Sequence, residues 1–221
     1  MTQKNLGMNS RRYVTPVGPE AESQPGSRGR VLVNLQGITG KRQMDRAEFD
    51  SLVQAQEASL EQIGPKTQFT ASLICQMHKD WLGHLYAWAG KYRTVELAKS
   101  GFSWPPAMMV ERNMMTFERD VLAVKTPCRA GSLDRVCMDM AEVHAELLLI
   151  HPFREGNGRL ARWLAELMAL QAGLPLPIYR FTGAGSKSEN TRYLSDVKAG
   201  YLRDYRPLAT FFADAIGRGR A

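Results

Sequence analysis

Apolar residues recur every three or four positions along most of the chain, the period of an α-helix. One such segment covers residues 45–63 and ends at Gly64 and Pro65. A second runs over about residues 67–84. The same period returns in five later segments, at about residues 107–124, 132–150, 158–172, 187–203 and 207–217. The pattern predicts a mainly α-helical protein.

The first two predicted helices each carry an apolar stripe that is expected to face the core. The stripe of the first helix consists of Phe49, Leu52, Val53 and Leu60, and that of the second of Leu73, Ile74, Met77 and Trp81.

The period changes in the segment KYRTVELAKSGFSWPP. Polar and apolar residues alternate there from Tyr92 to Leu97, a turn of Lys99, Ser100 and Gly101 follows, and the apolar residues resume before two prolines. Alternation on both sides of a glycine turn is typical of a β-hairpin. A hairpin is therefore predicted at about residues 92–104.

The first 30 residues are rich in Gly, Pro, Ser and Arg and poor in large apolar side chains. Such a segment buries too little apolar surface to offset the entropy of ordering it. Residues 1–30 are thus expected to be a mobile arm. The remaining residues, 31–221, are expected to form a single domain, because 221 residues with 44% hydrophobic content suit one core.

Composition narrows the function classes only in part. The three cysteines, Cys75, Cys128 and Cys137, form no CxxC pair, which favours reduced thiols in the cytoplasm. The sequence has no apolar signal region and no run long enough to span a membrane. A net charge of +7 suits anionic ligands such as nucleotides or nucleic acid without choosing among them.

The stretch IHPFREGNGRLAR, residues 150–162, contains residues that a packed helix does not favour. Pro152 ends the preceding apolar helix and leaves His151 at a helix-to-loop junction, where its ring is expected to point outward. A loop then leads into a helix that carries Arg159 and Arg162 on one face.

This junction has the features of a phosphate site. Gly156 and Gly158 let backbone N–H groups approach a ligand, and the N-terminus of the following helix adds positive charge. Arg159 and Arg162 supply bidentate donors. Glu155 suits a carboxylate ligand of a Mg²⁺ ion that bridges phosphate oxygens. His151, neutral near pH 7, could take a proton from an attacking hydroxyl.

The stretch resembles the Fic motif, His-x-Phe-x-(Asp/Glu)-Gly-Asn-Gly-Arg-x-x-Arg. Its eight specified positions are filled here by His151, Phe153, Glu155, Gly156, Asn157, Gly158, Arg159 and Arg162. The likeness extends over about residues 45–215, including a flap-like segment before the motif. It implies a Fic-type helical core, a hairpin flap, and transfer of AMP from ATP to a Ser, Thr or Tyr hydroxyl of a protein.

The resemblance also implies a role for each motif position. His151 would be the general base and Glu155 the Mg²⁺ ligand, with Phe153 anchoring the loop. Asn157 and the amides of Gly156 and Gly158 would hold the α- and β-phosphates. Arg159 would contact the β-phosphate and Arg162 the γ-phosphate. A target segment would dock on the flap by strand addition.

Other readings stay open. The motif grips phosphates, so transfer of UMP, phosphocholine or phosphate by the same fold is an alternative. Gly158 stands where the kinase-like branch of the superfamily has a lysine, which argues against phosphate transfer. A basic nucleic-acid-binding module is the weaker alternative, because no helix-turn-helix, zinc or RNA-recognition signature accompanies the charge. His144 is expected to be a core or supporting residue, and no metalloprotease-type spacing indicates zinc.

Many members of this superfamily carry an inhibitory glutamate that pairs with the final motif arginine. Glu189 and Asn190 form the only Glu-Asn pair, but Gly185 stands four residues before the glutamate instead of Ser or Thr. Glu57 is a second candidate, without the expected flanking residues. The resemblance therefore favours inhibition by a glutamate of a separate antitoxin-like protein, with this chain as toxin or effector.

Overall fold

The computed structural model describes residues 19–99 and 101–219. It is mainly helical, with one two-stranded hairpin, and each predicted helix has a counterpart. The predicted fold class is thus confirmed. The elements are α1 (Lys41–Gln62), α2 (Ala71–Leu82), β1 (Ala98–Lys99), β2 (Phe102–Ser103), α3 (Val110–Phe117), α4 (Ala123–Lys125), α5 (Leu133–Ile150), α6 (Asn157–Gln171), α7 (Ser186–Gly200) and α8 (Arg206–Arg218). A π-helical turn, Glu118–Leu122, joins α3 to α4.

Helix α5 is the centre of the molecule. Its Ser132 cap accepts a hydrogen bond from the Arg135 N–H, and most of its side chains from Met140 onward are buried. Helices α6, α7 and α8 pack around it. At Gly200 on α7 an added Cβ would lie 2.6 Å from the Cβ of Ala145, so only glycine allows this close approach of α7 to α5.

Helix α1 packs through a different face from the predicted one. Its buried residues are Met44, Glu48, Ser51, Ala55 and Ser59. Phe49 and Leu60 are 56% and 58% exposed, so the predicted apolar stripe is wrong. The face is different because α1 packs against large aromatic residues whose polar atoms need hydrogen-bond acceptors on α1. Trp81 and Tyr86 both donate hydrogen bonds to Glu48. The buried stripe of α2 is as predicted at Ile74, Met77 and Trp81.

The predicted hairpin is present, but its paired part is shorter than residues 92–104. Ala98 pairs with Ser103 and Lys99 with Phe102, and the Trp104 N–H donates to the Leu97 carbonyl at 3.0 Å. Before the hairpin, the predicted alternation holds, with Arg93, Val95 and Leu97 all buried. That stretch does not pair with a second strand, because the Arg93 N–H donates instead to the carbonyl of Pro152.

The predicted arm extends too far along the chain. Ser27 is fully buried and Val31 is 4% exposed. The Gln24 N–H donates to the Val31 carbonyl at 2.9 Å, and Asn34 bonds with the Gln24 side chain. Residues 19–30 therefore pack on the domain through polar contacts, which hydrophobic patterning does not indicate. Residues 1–18 of the predicted arm lie outside the described residues.

Candidate active site

The loop between α5 and α6 begins at His151, which ends α5 in a left-handed conformation with φ 53° and ψ 59°. This conformation is uncommon for residues other than glycine, although histidine adopts it more often than most. Its N–H donates to the Leu147 carbonyl at 2.9 Å, and Pro152 follows. The turn changes the direction of the chain directly after the apolar helix.

The imidazole of His151 is buried rather than directed outward as predicted, with 5% of the residue exposed. The ring of Trp104, at the end of the hairpin, lies over it with centroids 4.0 Å apart. Nδ1 lies 3.1 Å from the Leu148 carbonyl, which can only accept, so Nδ1 carries the proton and Nε2 the lone pair. Burial lowers the pKa of His151 from 6.5 to about 3, with a smaller lowering from Arg93. The ring is therefore neutral at pH 7.

Phe153 and Asn157 close the loop. The fully buried Phe153 ring stacks on His78 with centroids 3.9 Å apart. The amide oxygen of Asn157 accepts from the Phe153 N–H at 2.9 Å, and its amide nitrogen donates to the Phe153 carbonyl at 2.7 Å. The predicted anchor is thus in the core. The Asn157 side chain is engaged within the loop, which leaves its backbone N–H for a ligand.

Gly156 precedes α6 with φ 87°, and a Cβ there would lie 2.8 Å from Cζ3 of Trp81. Both the backbone conformation and the contact with Trp81 require glycine. Within the part of the chain that the structure describes, the N–H groups of Asn157 and Gly158 donate to no protein acceptor. They open the first turn of α6, where an anion is favoured by the helix dipole.

His78, on α2, forms a hydrogen bond with this loop. Its Nδ1 accepts from the Gly90 N–H at 2.8 Å, so its Nε2 carries the proton and donates to the Glu155 carbonyl at 3.1 Å. Burial lowers its pKa to about 4. His78 therefore positions the loop as a neutral residue.

Arg159 is held by two carboxylates and an aromatic face. Its Nη1 lies 2.7 Å from Oε2 of Glu48, its Nη2 lies 3.6 Å from Oε1 of Glu155, and its guanidinium covers Trp81 at 4.6 Å. Among the described residues the buried Nη2 has no hydrogen-bond partner. Sequence reasoning missed Glu48. Glu48 lies four residues after Met44 and therefore on the same face of α1, but its partners are remote in the sequence.

Arg162 faces different neighbours. Its guanidinium carbon lies 5.1 Å from the ring centroid of Phe181 and 5.8 Å from that of Tyr193. No acidic side chain of residues 19–99 or 101–219 forms an ion pair with it. Of the proposed brakes, Glu57 is exposed on α1, and Glu189 pairs with Arg218 at 2.7 Å.

Glu155 lies at the opening of α6. Its Oε1 accepts from the Gly156 N–H at 3.1 Å, beside Arg159. The described residues contain no group of three or more His, Cys, Asp or Glu side chains that could hold a metal ion, zinc included.

Arg93 joins the hairpin to the loop, a contact that sequence reasoning also missed. Its Nε donates to the His151 carbonyl at 2.8 Å, Nη1 to Val95 at 2.8 Å, and Nη2 to Pro105 at 2.6 Å. Arg93 belongs to the same alternating set as the apolar Val95 and Leu97, so the pattern of this segment would have indicated that Arg93 is buried with them. On the other side of the loop, Arg154 Nε donates to the Glu20 carbonyl at 2.8 Å.

Comparison with known proteins gives consistent results. The model of the Fic/DOC family matches residues 68–169. The chain is 28% identical to "Protein adenylyltransferase Fic" of Nematostella vectensis over 190 residues, which cover 85% of this chain and 42% of that protein. It is 30% identical over 187 residues to "Probable protein adenylyltransferase y4lH" of Sinorhizobium fredii, covering 81% of this chain and 88% of that protein.

Among solved structures, the fold matches the BepC effector of Bartonella tribocorum with bound AMPPNP. The TM-score is 0.67 at 20% identity, covering 83% of this chain and 91% of that one. This match shows a common fold. The chain spans less than half the length of the Nematostella protein and about a third of several other curated relatives. None of the described helices is long and apolar enough to cross a membrane.

Proposed function

This chain belongs to the Fic/DOC family, and on that premise we propose that it is a protein adenylyltransferase. It would transfer AMP from ATP to a Ser, Thr or Tyr hydroxyl of a target protein and release pyrophosphate. The observation that carries the proposal is the junction of α5 and α6. A neutral imidazole with its lone pair on Nε2 stands there beside two backbone N–H groups at a helix N-terminus. The names of the relatives support the same activity.

The chemistry follows from these groups. Nε2 of His151 would accept the proton of the target hydroxyl as its oxygen bonds to the α-phosphorus, and the bond from that phosphorus to the pyrophosphate oxygen breaks. The backbone N–H groups of Asn157 and Gly158 would hold the α- and β-phosphates, and that of Gly156 would join them by leaving the Glu155 carboxylate, to which it donates at 3.1 Å. The negative charge of a bound nucleotide would raise the pKa of His151 and so strengthen it as a base.

The two arginines would take the outer phosphates. Nη2 of Arg159, a buried donor without a hydrogen-bond partner among the described residues, suits the β-phosphate side. Arg162 would pair with the γ-phosphate, because no described carboxylate occupies it.

Magnesium is the metal proposed for the reaction. Mg²⁺ is commonly bound by one or two carboxylates together with substrate phosphates, so a single acid beside the phosphate site fits it. Glu155 has that position at the opening of α6. When bound, the ion would neutralise phosphate charge.

The hairpin would receive the target. An extended segment could add to its exposed edge through main-chain hydrogen bonds, which would bring a hydroxyl near His151 under Trp104. Cys75, Cys128 and Cys137 form no disulfide, which supports a reducing compartment, the cytoplasm. Arg162 faces aromatic rings, Glu189 pairs with Arg218, and Glu57 is exposed on α1, which supports control by a separate antitoxin-like protein and a role as toxin or effector.

The proposal is tested by incubating the purified chain with cell lysate and ATP labelled on either the α- or the γ-phosphate. We expect protein labelling from the α-position only, and its loss when EDTA removes Mg²⁺. His151→Ala is expected to lower transfer by about 10²- to 10⁴-fold with ATP binding retained, the usual contribution of a positioned base.

Two results of this assay would count against the proposal. Label from the γ-position alone would indicate phosphate transfer, and unchanged turnover of His151→Ala would remove the base from its role. Glu57→Gly is the control for an internal brake and is expected to match the wild type, because Glu57 is exposed and is not among the ion-pair partners of Arg162 in the described part of the chain.

A further inference from the structure

The surroundings of Arg162 form a connected chain of buried polar groups. The Arg162 guanidinium carbon lies 5.8 Å from the ring centroid of Tyr193 on α7, and the Tyr193 hydroxyl lies 2.8 Å from Nε2 of His144 on α5. Nδ1 of His144 lies 3.0 Å from the carbonyl of Ala161. Tyr193 is 6% exposed and His144 is 1% exposed. Three helices thus meet at one arginine.

The directions of these hydrogen bonds follow from chemistry. The Ala161 carbonyl can only accept, so Nδ1 of His144 carries the proton and Nε2 has the lone pair. Burial, and secondarily Arg162, lowers the pKa of His144 to about 3, so the ring is neutral at pH 7. The Tyr193 hydroxyl must therefore donate to His144, and its oxygen lone pairs are left for the donors of Arg162.

We propose that Tyr193 and His144 are positioning residues for Arg162, acting as a directional relay that fixes its guanidinium for the terminal phosphate of the nucleotide. The inference rests on the proposed function, since that function gives Arg162 its ligand. Phe181 contributes an aromatic face that restricts the guanidinium further. Phe181 and Tyr193 both lie beyond residue 169, where the match to the family model ends.

Tyr193 and His144 orient Arg162 in place of a carboxylate. An arginine held by a carboxylate would have to give up that ion pair to bind phosphate, whereas a neutral hydroxyl orients the guanidinium and leaves its charge uncompensated. Glu166, one turn further along α6, acts on Arg162 only through its charge, while its carboxylate accepts from Gln56 at 3.0 Å. The geometry therefore holds Arg162 ready for an anion.

The test compares ATP and ADP, which differ by the phosphate that Arg162 would contact. Dissociation constants of both nucleotides with Mg²⁺ are measured by calorimetry for the wild type, Arg162→Ala and Tyr193→Phe. Tyr193→Phe keeps the ring and removes the hydroxyl. We expect it to weaken ATP binding by about threefold to tenfold and to leave ADP within about twofold, the effect of one lost hydrogen bond to a charged group.

Tyr179→Phe is the matched control. Tyr179 belongs to the same aromatic cluster, stacking on Phe181 at 5.5 Å, but its buried hydroxyl has no hydrogen-bond partner among the described residues. Its removal should change neither dissociation constant. At His144, Gln keeps an acceptor near the position of Nε2 and Asn does not, so His144→Gln should retain more of the ATP preference than His144→Asn.

The outcomes separate the two proposals. If Arg162→Ala abolishes the preference for ATP and Tyr193→Phe leaves it intact, the relay is wrong and the role of Arg162 stands. Equal weakening of ATP and ADP by Tyr193→Phe would also overturn the relay, because it indicates a purely structural tyrosine. If Arg162→Ala itself leaves the preference unchanged, the γ-phosphate assignment fails, and the relay fails with it.

Discussion

Gly156 meets two separate requirements in one residue. Its φ of 87° lies in the region that residues with a Cβ avoid, and an added Cβ would lie 2.8 Å from Cζ3 of Trp81. Trp81 in turn supports Arg159 at 4.6 Å. A change at Gly156 therefore reaches both the start of α6 and an arginine of the proposed phosphate site.

We expect Gly156→Ala to lower the free energy of unfolding by about 2–5 kcal/mol, through left-handed strain and overpacking against Trp81. Denaturant unfolding followed by tryptophan fluorescence measures this. Gly158→Ala is the matched control. Its Cβ would meet Nη1 of Arg162 at 3.7 Å, an ordinary contact, so its stability should stay within about 0.5 kcal/mol of the wild type. Equal losses for the two alanines would contradict this reading of the loop.

The motif residues could be named from the sequence because their types and spacing carry the chemistry. Glu48 and Arg93 could not, although both hold motif residues in place. Each is a charged side chain whose burial depends on partners far away in the sequence. Glu48 needs Tyr86 and Arg159, and neither is visible from the pattern of α1 alone. Charged side chains are usually exposed, and the local sequence pattern does not indicate that this fold buries these two.

At the scale of elements, the ends of helices were easier to predict than their faces. Pro152 marks the end of α5, and the chain leaves the helix there as expected. The face of α1 was wrong, because a helix that packs against aromatic residues needs small and polar side chains at the contact. Phe49 and Leu60 satisfy the apolar period and still lie at the surface.

The hairpin depends on Arg93 for its attachment to the loop. One guanidinium spans the carbonyls of His151, Val95 and Pro105, so it joins both ends of the flap segment to the end of α5. Val95 and Leu97 are buried, so a proline at either position would damage the core as well as the flap. Arg93 offers the more specific test.

We expect Arg93→Lys to lower the free energy of unfolding by about 2–4 kcal/mol, because one ammonium cannot reach three carbonyls and buried acceptors lose their donors. Transfer to the target should fall more than affinity for ATP, since the proposal gives the hairpin the role of holding the target. Denaturant unfolding, nucleotide titration and labelling measure the three quantities. Arg112→Lys, an exposed arginine of α3, should leave all three unchanged. A larger loss of ATP affinity than of transfer would show that Arg93 does not act through the flap.

At the scale of the whole molecule, the order of helices and the hairpin followed from hydrophobic period and turn residues. The extent of the N-terminal arm did not, because residues 19–30 join the domain through backbone and side-chain hydrogen bonds. Those bonds leave no periodic signal. The arrangement of α5, α6, α7 and α8 around the site depends in the same way on contacts such as that of Gly200 with Ala145.

The same fold buries His78, His144 and His151 in neutral form, and this makes the stability of the molecule depend on pH. Burial lowers their pKa values from 6.5 to about 4, about 3 and about 3. Between pH 6.5 and 4 the unfolded chain therefore binds protons that the folded chain does not. Stability contributed by these residues is present above pH 6.5 and is lost as the pH falls, by up to about 1.4 kcal/mol per pH unit for each histidine.

Glu166 acts in the opposite direction. Burial raises its pKa from 4.5 to about 7, so between these values the folded chain binds the proton that the unfolded chain has released. Its contribution to stability therefore grows as the pH falls from 7 to 4.5. In the wild type this term offsets part of the loss from the three histidines.

We expect the melting temperature to fall on acidification from pH 7 to pH 4.5, and to fall more steeply in Glu166→Gln, which removes the offsetting term. Glutamine can still accept the hydrogen bond from Gln56, so the two proteins differ mainly in the titrating group. Calorimetric scans at half-unit steps of pH measure both curves. Glu61→Gln, on the exposed part of α1, is the control and should follow the wild type. Parallel curves for the wild type and Glu166→Gln would show that Glu166 does not change its protonation on unfolding in this range. A wild-type melting temperature that does not vary with pH would show that the three histidines do not change their protonation on unfolding.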